Sequence, residues 1–176
     1  LCGTTQSIKV TERTIAFPIP RPICEHITDL VMSTDFPWYF VPDATHLTPN
    51  GNASFAHVLI NNYESVSPFT AVFTSALAII AEHAGYYSNE IYRARLGLLY
   101  PSKPEHNSWH TDYDSPHTTC LWYINNSDGD TRFRFGDNIS PQRNGVLTFN
   151  GLEQHASSPP STGVRIVLNV NLMTSE

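Results

Sequence analysis

The chain of 176 residues is long enough for one domain, and a domain of this size buries about 70% of the surface that it exposes when unfolded. Its hydrophobic content of 40% suits a packed protein, whereas its formal net charge of −6 provides no general basic surface for nucleic acid. From this charge we expect no nucleic-acid partner. No apolar run reaches the roughly 18 residues expected of a membrane span, so we expect no membrane partner either.

The cysteines are odd in number and lack the CxxC spacing of metal and redox motifs. They are Cys2, Cys24 and Cys120. This pattern predicts neither a disulfide framework nor a zinc cluster. A reducing compartment, such as the cytoplasm, is the corresponding expectation.

Helical periodicity is confined to the first half of the chain. Apolar residues recur at helical spacing over residues 23–33, and the following residues 36–41 are dense in aromatic side chains typical of a core. The clearest helix is predicted near residues 68–83, where Ser67 is a good N-cap, Pro68 suits the first turn and one face is apolar. Such a helix most naturally packs on the outer face of a sheet.

Short strands and turns follow from residue 90 onward. Strands are predicted over 91–99, 118–124, 131–135, 145–149 and 164–172, and the thirteen prolines and nine glycines favour many turns. Strands at this spacing, preceded by helices, predict a mainly β protein (α+β) with a double-stranded β-helix, the cupin-like jelly roll, and helices buttressing one sheet. We predict a single domain over residues 1–176, in which 1–90 provide helical and loop support and 91–173 form the jelly-roll core.

A possible metal site lies between the strands. Side chains two apart in an extended segment point to the same face, so His110 and Asp112 present an imidazole and a carboxylate side by side. These are two of the three ligands of the facial triad that holds non-haem Fe(II), and His155 is the best candidate for the third. His106 and His117 compete as ligands, but neither is followed two residues later by a carboxylate, and we interpret them as gate or surface residues.

The last predicted strand has two faces of opposite character. Arg165, Asn169 and Asn171 alternate along one face and aliphatic residues along the other, which predicts a polar pocket inside the sandwich. The planar guanidinium of Arg165 suits bidentate pairing with a carboxylate. Asn169 is a further candidate for the site, the alternative being a buried Asn satisfied by the protein itself. Arg93 and Arg95 share one face of the strand 91–99, where we favour ion pairs with acidic neighbours over binding of an anionic substrate.

An HxD pair, a distant His and an Arg ten residues beyond it are spaced as in Fe(II)/2-oxoglutarate-dependent oxygenases. From about residue 91 to residue 173 the chain resembles the prolyl-4-hydroxylase branch of that family, including small oxygenases of phages and marine bacteria. Residues 121–125 and 128–133 are similar to the family pattern "YLN…GGET.F", with Asp128 in place of the first Gly and Asp130 in place of the Glu.

The resemblance implies a cofactor set and roles for individual residues. His110, Asp112 and His155 would be the catalytic, metal-binding residues for Fe(II), with 2-oxoglutarate and O2 as cosubstrates. Arg165 would bind the distal carboxylate of 2-oxoglutarate, and Tyr100 resembles the family tyrosine that hydrogen-bonds it, although an aromatic core role fits Tyr100 equally well. Many prolyl hydroxylases have Lys where this chain has Arg, and their substrate loops cannot be traced here. The resemblance therefore supports the cofactors better than a prolyl substrate.

The implied function is a dioxygenase, similar to prolyl hydroxylases, that hydroxylates a C–H bond of a peptide, a protein or an amino-acid-like small molecule. The reaction is coupled to oxidative decarboxylation of 2-oxoglutarate to succinate and CO2. Two alternatives are a nucleic-acid demethylase of the same superfamily, which the acidic charge disfavours, and a non-catalytic jelly-roll binding module, which the complete ligand set disfavours. A halogenase is disfavoured because those enzymes replace the carboxylate ligand by a small residue, whereas Asp112 is present.

Overall fold

Most strands of the protein join one large antiparallel sheet. The computed structural model describes residues 12–43, 52–103 and 105–174. The eight strands of the large sheet are β1 Thr14–Ala16, β2 Tyr39–Val41, β3 Ser54–Asn61, β4 Glu64–Ser65, β5 Ile91–Leu99, β6 Thr118–Tyr123, β8 Val146–Asn150 and β10 Arg165–Leu172. Their order is β1-β8-β6-β10-β5-β3-β2, with β4 beside β3. Strands β7 (Thr131–Phe133) and β9 (His155–Ser157) form a second, two-stranded sheet.

Two helices cover the outer face of the large sheet. They are α1, Arg21–Val31, and α2, Thr70–His83, and a short 3-10 helix, Ser88–Glu90, leads into β5. Phe73 and Ile80 of α2 are fully buried in one cluster with Trp122 and Leu168 of the sheet. The predicted packing of this helix on the outer face of one sheet is therefore confirmed. The helix begins later than predicted, and the Ser67 hydroxyl accepts a hydrogen bond from the Phe69 N–H (3.1 Å) just before it.

The inner face of the large sheet packs against the small sheet. Leu121, Phe149 and Val167 form a second buried cluster with Phe133 of β7. Because successive strand residues point to opposite faces, these residues line the inner core while their strand neighbours meet the helices. Two facing sheets with helices on the outside of one are the predicted jelly-roll arrangement, mainly β with flanking helices.

The first ninety residues supply strands as well as support. Strand β3 pairs with β5 in the interior of the large sheet, and β1 and β2 lie at its two edges. Strand β3 thus adds to the helical and loop support predicted for residues 1–90, and the division at residue 91 stays a prediction. A register shift between Val58 and Ile60 interrupts the alternation of β3. That the whole chain is a single domain stays a prediction.

The pairing of β5 with β10 aligns polar side chains on the inner face. The opposed pairs are Arg165 with Leu99, Val167 with Gly97, Asn169 with Arg95 and Asn171 with Arg93. Directly opposed residues of an antiparallel pair lie on the same face, with their Cβ atoms about 5 Å apart. Arginine and asparagine side chains from two strands are thus brought into one row facing the small sheet.

The two cysteines in the described part of the chain form no disulfide bond. Cys24 and Cys120 are buried free thiols, and Cys2 lies outside the described residues. Burial raises the pKa of Cys120 to about 12, against the opposing effect of a contact with the Thr148 hydroxyl (3.5 Å), so this thiol stays protonated. Within the described ranges, no helix has the length and apolar character needed to cross a membrane.

Candidate active site

Two chain segments bring a cluster of possible metal ligands together on the inner face. One donor atom each from His110, Asp112 and His155 lies within 4.8 Å of the other two. His155 begins β9, and the backbones of His110 and His155 exchange N–H···O hydrogen bonds of 3.0 and 2.9 Å. This bridge holds the two imidazole rings side by side, with centroids 4.7 Å apart. The chain bends at Asp112, and its carboxylate, two residues after His110, lies on the same side as the two imidazoles.

Both imidazoles are oriented by backbone carbonyl groups. The Nδ1 atom of His110 lies 3.0 Å from the carbonyl oxygen of Ser108, and that of His155 lies 2.9 Å from the carbonyl oxygen of Glu153. Because a carbonyl oxygen can only accept, each Nδ1 must carry a proton, and the tautomer with this proton has its lone pair at Nε2. Burial lowers the pKa of His155 against the opposing charge of Asp112, which favours the neutral ring. A hydrogen bond from the ring nitrogen that does not bind the metal to a carbonyl oxygen is typical of metal-binding histidines.

Three donors hold the carboxylate of Asp112. The Nη2 atom of Arg93 donates to Oδ1 (2.9 Å), and the side-chain amides of Asn169 and Asn171 donate to Oδ2 (3.0 and 2.8 Å). Burial alone would raise the pKa of Asp112, but the charge of Arg93 and the hydrogen bonds from the two amides outweigh it. They hold that pKa well below its usual range. Two neutral imidazoles and one ionised carboxylate are a donor set that fits Fe(II).

The depressed pKa of Asp112 predicts a pH dependence of stability in the metal-free protein. Since the folded-state pKa lies below the unfolded value of about 3.9, the ionised group stabilises the fold above that pH, and the stabilisation is lost as the pH falls. Below about pH 4 this one group should lower the free energy of unfolding by up to about 1.4 kcal/mol per pH unit. The free energy of unfolding can be measured with denaturant at about pH 5, 4 and 3. It should fall less steeply with pH in Asp112→Asn than in the unmodified protein. Equal slopes in the two proteins would contradict the ionised state.

Arg165 is a buried cation at the start of β10. It is 5% exposed and has no carboxylate partner among the described residues. Its Nε donates to the Gly129 carbonyl (2.8 Å) and its Nη2 to the Thr131 hydroxyl (2.9 Å), which occupies two of its five N–H groups. The Thr131 hydroxyl is itself 2.8 Å from the hydroxyl of Tyr123. A buried charge is costly unless it is paired, and the described residues provide no anion that compensates Arg165.

One cavity contains both the triad and Arg165. Its volume is about 120 Å³, and its walls come from the large sheet on one side and from Thr131 and residues 155–157 on the other. Gly97 lies in this wall, and a Cβ built on it would meet nothing within 4 Å, so the missing side chain adds to the open space. A ligand with a chelating end and a carboxylate end can therefore use both features at once.

The structure brings five of the six predicted site residues into this cavity. They are His110, Asp112, His155, Arg165 and Asn169. Asn169 contacts the carboxylate of Asp112, so its observed partner is a metal-ligand candidate. Tyr100 is not among the described residues that line the cavity, and its ring lies 6.2 Å from that of Phe55. The contact agrees with the alternative aromatic role.

Arg93 and Asn171 both contact the carboxylate of Asp112, a partner that the sequence analysis did not identify for either residue. The favoured ion pair is present for Arg93, which binds Asp112. It is absent for Arg95, which forms no ion pair among the described residues, so that prediction is wrong for Arg95. The alternation of polar residues along the two predicted strands indicates which residues share a face. It does not give the register between the strands, which places Asn171 opposite Arg93.

The competing histidines lie outside the ligand cluster. His117 is not a surface residue: it is buried, its Nδ1 donates to the Ser115 carbonyl (2.8 Å), and its Nε2 has no partner among the described residues. Its ring occupies the space beside Gly151, where a Cβ would come within 2.1 Å of it. The ring of His106 packs on Trp109 with centroids 4.7 Å apart. Neither contact suggests metal binding.

Comparison with known proteins gives structural matches only. No family model and no curated protein sequence matches the chain. A viral collagen prolyl hydroxylase from Paramecium bursaria Chlorella virus-1, solved as its 2-oxoglutarate complex, is 12% identical over 93% of this chain and 96% of that chain, with a TM-score of 0.60. An oxidoreductase of the 2OG-Fe(II) oxygenase family from Burkholderia pseudomallei is 11% identical over 91% and 84%, with a TM-score of 0.64. A prolyl hydroxylase from Trichoplax adhaerens, solved with a peptide fragment of hypoxia inducible factor, is 14% identical over 92% and 83%, with a TM-score of 0.61.

These matches define the fold. The chain has the jelly-roll fold of 2OG-Fe(II) oxygenases, and prolyl hydroxylases are among the structures that it resembles. The resemblance identified in the sequence is thus confirmed at the level of the fold. Because fold alone does not establish chemistry, the function has to be argued from the site.

Proposed function

We propose that the protein is an Fe(II)/2-oxoglutarate-dependent dioxygenase. The observation that carries the proposal is a single cavity that contains two histidines and one carboxylate together with a buried arginine that has no carboxylate partner among the described residues. The cosubstrate needs both features, because its 2-oxo and C1 carboxylate oxygens chelate a metal while its distal carboxylate requires a cation. When bound, the iron activates O2 for oxidative decarboxylation of 2-oxoglutarate to succinate and CO2, coupled to hydroxylation of a substrate C–H bond.

Each residue of the site has a role that follows from its contacts. The Nε2 atoms of His110 and His155 would hold the metal, because each Nδ1 is already bonded to a backbone carbonyl. Asp112 would be the third ligand, and its Oδ1 accepts only one hydrogen bond, from Arg93, whereas its Oδ2 accepts two. Arg93, with the two asparagine amides, keeps the carboxylate ionised and fixed. Arg165 would bind the distal carboxylate bidentately through its free N–H groups. Rigid positioning of this kind aims one C–H bond at the metal.

A peptide, a protein or an amino-acid-like small molecule is the substrate class that we propose. The Trichoplax neighbour, a prolyl hydroxylase, was solved with a peptide fragment, which supports this class at 14% identity. The net charge of −6 weighs against a nucleic-acid demethylase. A binding module without catalysis has no need of a carboxylate kept ionised beside two oriented imidazoles.

Turnover provides the test of this proposal. Purified protein supplied with Fe(II), 2-oxoglutarate, air and either a candidate substrate or ascorbate as the reductant should form succinate, and omission of either Fe(II) or 2-oxoglutarate should abolish it. His155→Ala should be inactive, whereas His106→Ala, a matched loss of an imidazole outside the cluster, should keep its activity. A folded, iron-loaded protein that forms no succinate with any candidate substrate would instead support the binding module.

A further inference from the structure

Arg95 is a second cation in the wall of the cavity. Unlike its neighbour Arg93, it forms no ion pair or hydrogen bond among the described residues. Its side chain is half-buried. Burial, followed by the like charge of Arg93, lowers the pKa of Arg95, so the environment leaves its positive charge poorly compensated. A partly buried guanidinium with free donors is a natural contact for an anion.

When Fe(II) and 2-oxoglutarate are bound, every negative group of the site already has a positive partner other than Arg95. Asp112 is the only carboxylate among the described residues that line the cavity. With Fe(II) bound, the two carboxylates of 2-oxoglutarate face the metal and Arg165, and Arg93 is already paired with Asp112. The site then still has an excess of positive charge, to which Arg95 adds. A further negative group in the cavity would be stabilised by this excess.

Arg95 also lies away from Arg165 along the strands. Arg165 is opposite Leu99, whereas Arg95 is opposite Asn169, four residues further along β10. At about 3.3 Å per residue, this separates the two positions by about 13 Å along the strand. On its other side Arg95 is opposite Val58, which is 37% exposed, so Arg95 stands between the metal-ligand cluster and solvent.

Asn169 places a hydrogen-bond acceptor beside Arg95. Its Nδ2 donates to Asp112, and its Oδ1 is buried without a partner among the described residues. The orientation of the amide follows from chemistry, because an ionised carboxylate only accepts and therefore must face the NH2 group. A buried acceptor without a donor is costly, which makes a ligand N–H its expected partner.

We propose that Arg95 binds a carboxylate of the substrate to be hydroxylated and that the Oδ1 atom of Asn169 accepts an N–H from the same molecule. A carboxylate and an N–H bonded to the same carbon atom are the groups of a free amino acid or of the C-terminal residue of a peptide. This assignment rests on the proposed function, since it names the substrate class of the same site. It reverses the role that the sequence favoured for Arg95.

Binding of matched probes tests the assignment without turnover. The protein is loaded with Mn(II), saturated with 2-oxoglutarate and kept free of oxygen. It is titrated with two series of ligands: N-acetyl amino acids with their C-terminal amides, and free amino acids with their C-terminal amides. Ligand-observed NMR measures each affinity. We expect at least one acid of the panel to bind about 30-fold or more tightly than its amide, which is the loss expected for a charge-assisted contact. The N-acetyl and free series distinguish peptide C-termini from free amino acids.

Three variants decide the outcome. Arg95→Gln should abolish the preference for the acid while changing 2-oxoglutarate affinity less than about 3-fold, Arg95→Lys should keep part of the preference, and Arg134→Gln, an exposed arginine outside the cavity, should keep all of it. Equal binding of acids and amides by the unmodified protein would overturn the assignment, as would a large loss of 2-oxoglutarate affinity in Arg95→Gln. If acid binding depends on Arg95 but no succinate is formed in the turnover test, the anion site stands and the proposed oxygenase function fails.

Discussion

Replacement of Asp112 by alanine is expected to abolish tight Fe(II) binding and, with it, succinate formation. The change removes one of three ligands and also the carboxylate that accepts from Arg93, Asn169 and Asn171. Arg93 and Asn171 each keep one other acceptor, whereas the amide of Asn169 keeps none among the described residues. Loss of a group that only orients a metal ligand costs about 10- to 100-fold in metal affinity, so loss of the ligand itself should exceed about 100-fold. Anaerobic calorimetric titration of the metal-free protein with Fe(II) measures the effect.

The matched control for this experiment is Asp114→Ala. Asp114 is an exposed carboxylate two residues away, and its removal should leave the Fe(II) affinity unchanged. Because Asp112→Ala leaves the charge of Arg93 uncompensated, circular dichroism should establish that the variant is folded, and the double variant Asp112→Ala/Arg93→Met removes the isolated charge. A folded variant of either kind that binds Fe(II) as tightly as the unmodified protein would contradict the assignment of Asp112 as a ligand.

Replacement of Arg165 by alanine is expected to weaken 2-oxoglutarate binding by about 30- to 1,000-fold while leaving Fe(II) binding nearly intact. A lost bidentate, charge-assisted contact in a buried site costs about 2–4 kcal/mol, and about 1.4 kcal/mol corresponds to a tenfold change in the dissociation constant. Arg165 is buried in the same cavity as the triad but is not a member of the ligand cluster. Titration of the anaerobic, iron-loaded protein with 2-oxoglutarate, followed by metal-to-ligand absorption, separates the two effects.

Arg165→Lys is the conservative variant for that titration. It should recover only part of the affinity, because an ammonium group cannot reproduce the planar fork that also donates to Gly129 and Thr131. Thr131 keeps its contact with Tyr123 in both variants, so the wall of the cavity retains part of its network. Unchanged 2-oxoglutarate affinity in a folded Arg165→Ala protein would remove Arg165 from the site.

Short-range periodicity explains which features of the site were predictable. The spacing of two residues led to the expectation that His110 and Asp112 share one face. The structure brings them together at a bend, where long-range contacts of both residues hold them. The two-residue period of a strand separates Arg165 and Asn169 from the aliphatic face of β10. Helix α2 was predictable because its buried residues form one apolar stripe, and its place on the outer face of a sheet follows from that stripe.

Features set by long-range pairing could not be read from the sequence. The ion pair of Arg93 with Asp112 and the approach of Asn171 depend on the register between β5 and β10, whose paired residues are more than sixty positions apart. The entry of β3 into the large sheet depends on its pairing with β5 across a register shift. The missing ion pair of Arg95 has the same origin, because the register opposes it to Asn169 and Val58 and not to an acidic residue.

Turnover under heavy-isotope dioxygen tests the central claim most directly. Iron-loaded protein is supplied with 2-oxoglutarate and isotopically labelled O2, and the succinate formed is analysed by mass spectrometry. The proposed reaction predicts succinate that carries one labelled oxygen atom, together with one labelled oxygen atom in any hydroxylated substrate, and neither product from Asp112→Ala. Succinate without the label, or labelled succinate formed equally by Asp112→Ala, would contradict an oxygenase reaction at this site.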